Sequence, residues 1–356
     1  MSKYYLLLLL PFVLYACELP PPSEGVKDST SSQTPQLKIR TTTVNSSVRA
    51  IEAIDEQKAW FSGSGGVYGY SKDAGKNWTI DSIRREGLDF GFRALAITND
   101  ATFLLSTGSP ALLFRSQNGG ESWETKYQED HPDAYYNALK FWDNKTGIAV
   151  GDPTEANCLS VLMTRDGGET WFKIPCGELP AIAEHEAGFA ASNTNIALAG
   201  NHAWLVTGGD KARVFHTPDR GQSWEVFDTP IQQGGQMTGI YSIAFRDETN
   251  GIIWGGDWDN KDSAYSAKAI TTDGGKNWAL FNDGEAPAFR SCVQYVPQSG
   301  GKEIFAIGSP GMSYTSDSGK TWTQLNEENF YSIRINNAGK TAWLAGKNRV
   351  AYMSWE

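Results

Sequence analysis

The chain has 356 residues, among them 13 Trp, 37 Gly and 4 Cys, and a formal charge of −10. That acidic balance, with no basic run and no aromatic-basic stripe, excludes nucleic acid as an expected partner. No Gly-rich phosphate loop, His-Glu-x-x-His or Cys-x-x-Cys occurs, so neither a cofactor nor a metal is expected.

Residues 1–16 read as a leader. Lys3 supplies a short positive region, and YYLLLLLPFVLY (4–15) is apolar but too short to span a membrane comfortably. Leu14-Tyr15-Ala16-Cys17 resembles a bacterial lipobox, in which the Cys becomes the lipidated first residue of the mature protein. An ordinary cleaved signal with an incidental Cys is the alternative. Residues 17–36 are rich in Pro and Ser and poor in apolar residues, the composition of a disordered tether. Together these segments predict a monomer lipid-anchored in a bacterial cell envelope, periplasmic or surface-exposed.

Residues 37–356 are expected to form one closed ring. A pattern Ser/Thr-x-Asp-x-Gly-x-x-Trp recurs as SKDAGKNW (71–78), SQNGGESW (116–123), TRDGGETW (164–171), TPDRGQSW (217–224), TTDGGKNW (271–278) and TSDSGKTW (315–322). The final tryptophans are 45, 48, 53, 54 and 44 residues apart, a period that predicts propeller blades of four short strands. Asp73, Asn118, Asp166, Asp219, Asp273 and Asp317 occupy the third position, where a carboxylate or amide oxygen closes a turn over backbone N–H groups. The Gly supplies positive φ, and the Trp packs beside the turn. A structural role is therefore expected for these six residues.

Alternating strand segments precede each box, as in YSIAF (241–245), GIIWGG (251–256), SAKAITT (266–272) and NWALF (277–281). Such starts recur from Val48, Phe92, Tyr136, Gly188, Ile240, Phe289 and Phe330. Seven starts with a short last repeat predict a seven-bladed all-β propeller with antiparallel blades. LKIRTTTV (37–44) is expected to supply the missing strand and close N-terminus to C-terminus. Cys158 and Cys176 flank one box symmetrically, which makes a cross-strand disulfide the expectation and two unbonded thiols the alternative. Cys292 reads as a small core residue.

Aligning the starts of the inner strands brings Arg49, Arg93, Asn137, Gly188/Phe189, Tyr241, Arg290 and Tyr331 to one mouth of the channel. Returning loops add Ser109, Asp152, Asp257, Asp259 and Ser309, with Glu184, His185 and Glu186 nearby. Arginines on a rigid scaffold suit a carboxylate or phosphate. The competing reading is that Arg49, Arg93 and Arg290 neutralise Asp152, Asp257 and Glu186. His131, His185, His202 and His216 show no ligand-like spacing.

The repeats resemble the Asp-box, or BNR repeat. Together with GIYSIAF, GIAVGDP, EHEAGFAASNTNI and AFRSCVQYV, they make residues 45–356 similar to the seven-bladed photosystem II stability/assembly factors and their non-photosynthetic relatives, often labelled oxidoreductases. The resemblance implies a non-catalytic role in which an arginine-bearing face holds a partner polypeptide, with Arg49, Arg93 and Arg290 the counterparts here. No dinucleotide fingerprint supports redox chemistry. The alternative resemblance is to sialidases, six-bladed Asp-box glycoside hydrolases that hold a sugar carboxylate with three arginines. Their Phe/Tyr-Arg-Ile-Pro element is missing here, and no Glu is assigned to Tyr241 or Tyr331 as a nucleophile pair. The expected ligand is a protein, or an anionic glycan or peptide.

Overall fold

Each repeat alternates apolar and small residues at period two, so one segment buries both faces only when it stands between other sheets. Middle strands such as Cys158–Thr164 and Thr102–Thr107 are almost wholly buried, whereas outer strands such as Glu124–Glu129 face solvent. A computed structural model describes residue 1, residues 34–155 and residues 157–356. The leader after residue 1, Cys17 and all of the expected tether except residues 34–36 lie outside the described residues.

The described strands form six antiparallel sheets, five of four strands and one of six. The expectation of seven blades is thereby corrected. Seven inner strands do surround the axis in chain order, which is why the sequence shows seven starts. Two of them share one sheet, because the first strand, Leu37–Ala53, and the last, Thr341–Trp355, run on where a break was expected. Leu37–Ser47 pairs with the last strand, and after a register shift Val48–Ala53 pairs with Ala59–Gly63. The last strand in turn pairs with Phe330–Ile335. N- and C-terminal strands therefore cover each other's edges.

The repeated turns all close in one way. In TRDGGETW, Thr164 Oγ1 donates to Asp166 Oδ1 at 2.8 Å, and Gly168 N donates back to Thr164 Oγ1 at 2.9 Å. Thr170 N then donates to Asp166 Oδ1 at 3.0 Å. The other five copies repeat this set. Asn118 keeps it because its Oδ1 is the acceptor the turn needs, and its Nδ2 donates to Ser122 Oγ at 2.9 Å. Gly168 has φ +78° and a Cβ there would lie 2.3 Å from the Phe103 ring, so shape and conformation both demand glycine.

The box tryptophans pack against rings of other strands, in three of four contacts those of a neighbouring sheet. Trp78 meets Trp343, Trp123 meets Trp60, Trp171 meets Phe103 and Trp322 meets Trp254, each edge to face. Trp171 is buried and the other five are half-buried, less enclosed than packing beside a turn suggests. Cys158 and Cys176 form a disulfide, with Cα atoms 5.5 Å apart. Cys292 is a buried free thiol.

Candidate functional site at the channel mouth

Five of the aligned positions share a backbone device. The ladder shifts register between Val48 and Ala50, Phe92 and Ala94, Tyr136 and Ala138, Ile240 and Ser242, and Phe330 and Ser332. Each shift leaves one unpaired residue: Arg49, Arg93, Asn137, Tyr241 or Tyr331. A β-bulge re-aims the side chain it carries, and here it does so in five inner strands at the same height.

Arg49 and Arg93 border one cavity of about 200 Å³, with Tyr135, Phe189, Met237, Tyr241 and Trp258 as its aromatic and thioether wall. The Arg49 guanidinium lies 4.3 Å from the Tyr331 ring centroid, and that of Arg93 lies 5.9 Å from Tyr135. Arg49 Nη1 donates to the Ala191 carbonyl at 3.4 Å, and Arg93 Nη1 to the Ala190 carbonyl at 3.2 Å. Among the described residues neither arginine has a carboxylate within ion-pair distance. Burial, and then the neighbouring Arg93, pull the Arg49 pKa below its usual value. Lys261 adds a third cation, its Nζ 4.2 Å from the Trp258 ring centroid.

The carboxylates once matched to these arginines are engaged elsewhere. Glu186 is buried and pairs with Arg213 at 2.5 Å. Asp152 Oδ1 accepts from Asn137 Nδ2 at 2.7 Å and from Gly188 N at 3.1 Å. Burial raises the Asp152 pKa to about 6 against those two bonds. Asp257 accepts from Asp259 N in its own turn at 2.8 Å. His185 faces Asp210, and Ser109 Oγ donates to the Asp130 carbonyl.

Other expected ligand residues serve as walls. Tyr241 is buried, stacks on Phe189 at 4.0 Å and donates its hydroxyl to the Met237 carbonyl at 2.9 Å. Tyr331 lies beneath Arg49. Asn137 is fully buried and, through Asp152, holds the loop whose carbonyls orient both arginines. Arg290 does not join the cavity. Its strand begins only at Cys292, so no bulge carries it inward. Instead Arg290 is buried in its own sheet, donating to the Phe289 carbonyl, Ser313 Oγ and Gln324 Oε1, and burial pulls its pKa down to about 10. The three arginines thus do not converge on one anion, as holding a sugar carboxylate in the sialidase manner requires.

Tyr135, Met237, Trp258 and Lys261 escaped the alignment of inner-strand starts. Only Trp258 had a signal, lying between the two aspartates of a returning loop.

The described arrangement, two guanidiniums over an aromatic floor, has the chemistry to hold and orient an anionic group. No protein-family model matches the sequence. The chain is 20% identical over 188 residues to the chloroplastic photosystem II stability/assembly factor HCF136 of Oryza sativa subsp. japonica. That match covers 53% of this chain and only 38% of the relative, well under two thirds of its length. Among solved structures, YCF48 bound to D1 peptide superposes with a TM-score of 0.64 at 14% identity, covering 89% of this chain and 96% of that one. YCF48 from Cyanidioschyzon merolae gives 0.62 at 14% identity over 89% and 98%. The RRP9 WD40 repeats give 0.63 at 12% identity over 91% and 100%. The fold is that of the propellers, and the sequence is weakly similar to a photosystem II assembly factor.

Proposed function

We propose that this protein is a non-catalytic holding factor that captures an acidic segment of another polypeptide at the channel mouth. One observation carries the reading: Arg49 and Arg93 are fixed side by side without carboxylate partners, over an apolar and aromatic wall. Two half-buried guanidiniums without a carboxylate partner favour an anion, and the wall suits the side chains that flank it. The YCF48 structure named for a bound D1 peptide supports a polypeptide ligand. An anionic glycan is the other ligand that two guanidiniums accommodate.

The test uses fluorescein-labelled acidic and neutral peptides with purified protein. Arg49→Ala and Arg93→Ala should each weaken acidic-peptide binding at least tenfold while leaving the melting curve nearly unchanged. Binding should also weaken as salt rises, because exposed charge is screened over about 8–10 Å. Equal affinity for acidic and neutral peptides rejects the reading. Turnover of a fluorogenic sialoside by the wild type replaces it with a hydrolase.

The same proposal includes anchorage through Cys17, supported by the apolar run that ends there. Cys17→Ser should move the protein from the membrane to the soluble fraction. A variant that stays in the membrane, with no lipid on the wild type by mass spectrometry, rejects anchorage.

A further inference from the structure

Deeper in the channel lies a second charged cluster, on the same inner strands. Three residues beyond Arg49, Asn137 and Tyr331 stand Glu52, Lys140 and Arg334. Glu52 Oε1 accepts from Lys140 Nζ at 2.6 Å, from Asn193 Nδ2 at 2.9 Å and from Arg334 Nε at 3.1 Å. One carboxylate therefore serves two cations. Burial opposes ionisation of Glu52, but Arg334 and Lys140 outweigh it and hold the carboxyl below its usual range.

The two cations differ in what else they touch. Arg334 places its other protons on the carbonyls of Ile333, Ser192 and Asn193. Lys140 has no acceptor but Glu52 among the described residues, and an ammonium carries three protons. Lys140 and Arg334 border a cavity of about 180 Å³ together with Gln294 and Tyr295. Gln294 Oε1 accepts from Ile335 N at 2.9 Å, which leaves its Nε2 to donate. The Tyr295 hydroxyl has no partner among the described residues.

Lys140 and Gln294 offer free donors to this cavity, which Tyr295 also borders, and the cluster behind them is one negative charge short. Charge partly withdrawn from water, as on half-buried Lys140, favours a counterion. We infer that this end of the channel binds a small carboxylate monoanion, held by Lys140, Gln294 and Tyr295 at a site separate from the mouth. A single charge balances the cluster, where a phosphate dianion overshoots it. The cavity, about 180 Å³ and open to solvent, admits a small organic acid such as acetate.

The probe is sodium acetate, titrated into the purified full chain against sodium chloride at constant ionic strength. Calorimetry and melting temperature are read together. Acetate should bind saturably and raise the melting temperature above the chloride control. Gln294→Leu and Tyr295→Phe should each weaken acetate binding at least threefold, and Lys140→Met at least tenfold. Should Lys140→Met fail to fold, the two neutral substitutions decide. Identical melting in acetate and chloride overturns the inference, as does unchanged affinity in both neutral variants. A blocked peptide with one internal Asp should not displace acetate; displacement assigns the site to a polypeptide and overturns the free-acid reading.

Discussion

The Arg49 guanidinium sits 4.3 Å from the Tyr331 ring centroid, and its hydrogen-bond partner among the described residues is a carbonyl, not a carboxylate. The contact fixes the direction of the guanidinium without neutralising it. On the proposed reading, that charge is available to an anionic ligand.

That geometry distinguishes the planar fork from the charge. Arg49→Lys keeps the charge but loses bidentate donation and most of the stacking. Affinity for an acidic peptide should fall about tenfold, roughly 1.4 kcal/mol. Fluorescence anisotropy at fixed salt checks this, and an unchanged Kd shows that charge alone suffices.

The repeated turns give a stability prediction with an internal comparison. Asp166→Ala removes acceptors for Thr164 and Thr170 at an exposed site, and should cost about 1–2 kcal/mol. Gly168→Ala imposes positive φ on alanine and drives a methyl into Phe103. It should cost about 2–4 kcal/mol. Urea unfolding of both variants checks the order, and a larger loss for Asp166→Ala rejects the packing account. Peptide capture should survive in both.

The closure of the ring rests on residues 37–47. Leu37 and Ile39 pack against the cluster that holds Met353 and Trp355, and the ladder to Lys347–Trp355 is the last strand's outer cover. A chain beginning at Asn45 should melt well below one beginning at Thr34, with a loss of several kcal/mol. Its bared edge should also promote self-association, visible in size-exclusion chromatography. Matching melting curves and elution volumes reject this role.

Period and turn chemistry are legible because they are local. A Trp about every fifty residues and a Thr-x-Asp-x-Gly turn each describe one hairpin. Sheet count is not local. Asn45-Ser46-Ser47 contains no Gly or Pro, so the first strand bends through a register shift and continues, merging two expected blades. Bulges leave no mark in composition, so the inward aim of Arg49 and Arg93 was guessed from alignment alone. The same alignment misplaced Arg290, whose strand starts two residues later. Glu52, Lys140 and Arg334 look like ordinary solvent-facing charges at period two. Only closure of the ring turns them toward the axis and brings them together, Arg334 buried and the other two half-buried.

Asp152 provides the last prediction, because its pKa is moved upward rather than down. Burial raises it from 3.8 to about 6, outweighing the bonds from Asn137 and Gly188. The folded chain then holds this proton more tightly than the unfolded chain. Its contribution to stability is largest below the unfolded pKa, declines as pH rises from about 4 to 6, and is level above that. The remaining cost at neutral pH is on the order of 2 kcal/mol. Asp152→Asn keeps an oxygen for Asn137 Nδ2 and Gly188 N but cannot ionise. Relative to the wild type, the variant should therefore gain on the order of 2 kcal/mol between pH 4 and pH 7. Urea unfolding across that range measures the difference directly and cancels the other carboxylates. A difference that stays flat, or that falls with rising pH, shows that Asp152 titrates as an ordinary surface carboxyl and does not bury its charge beside the arginine-bearing loop.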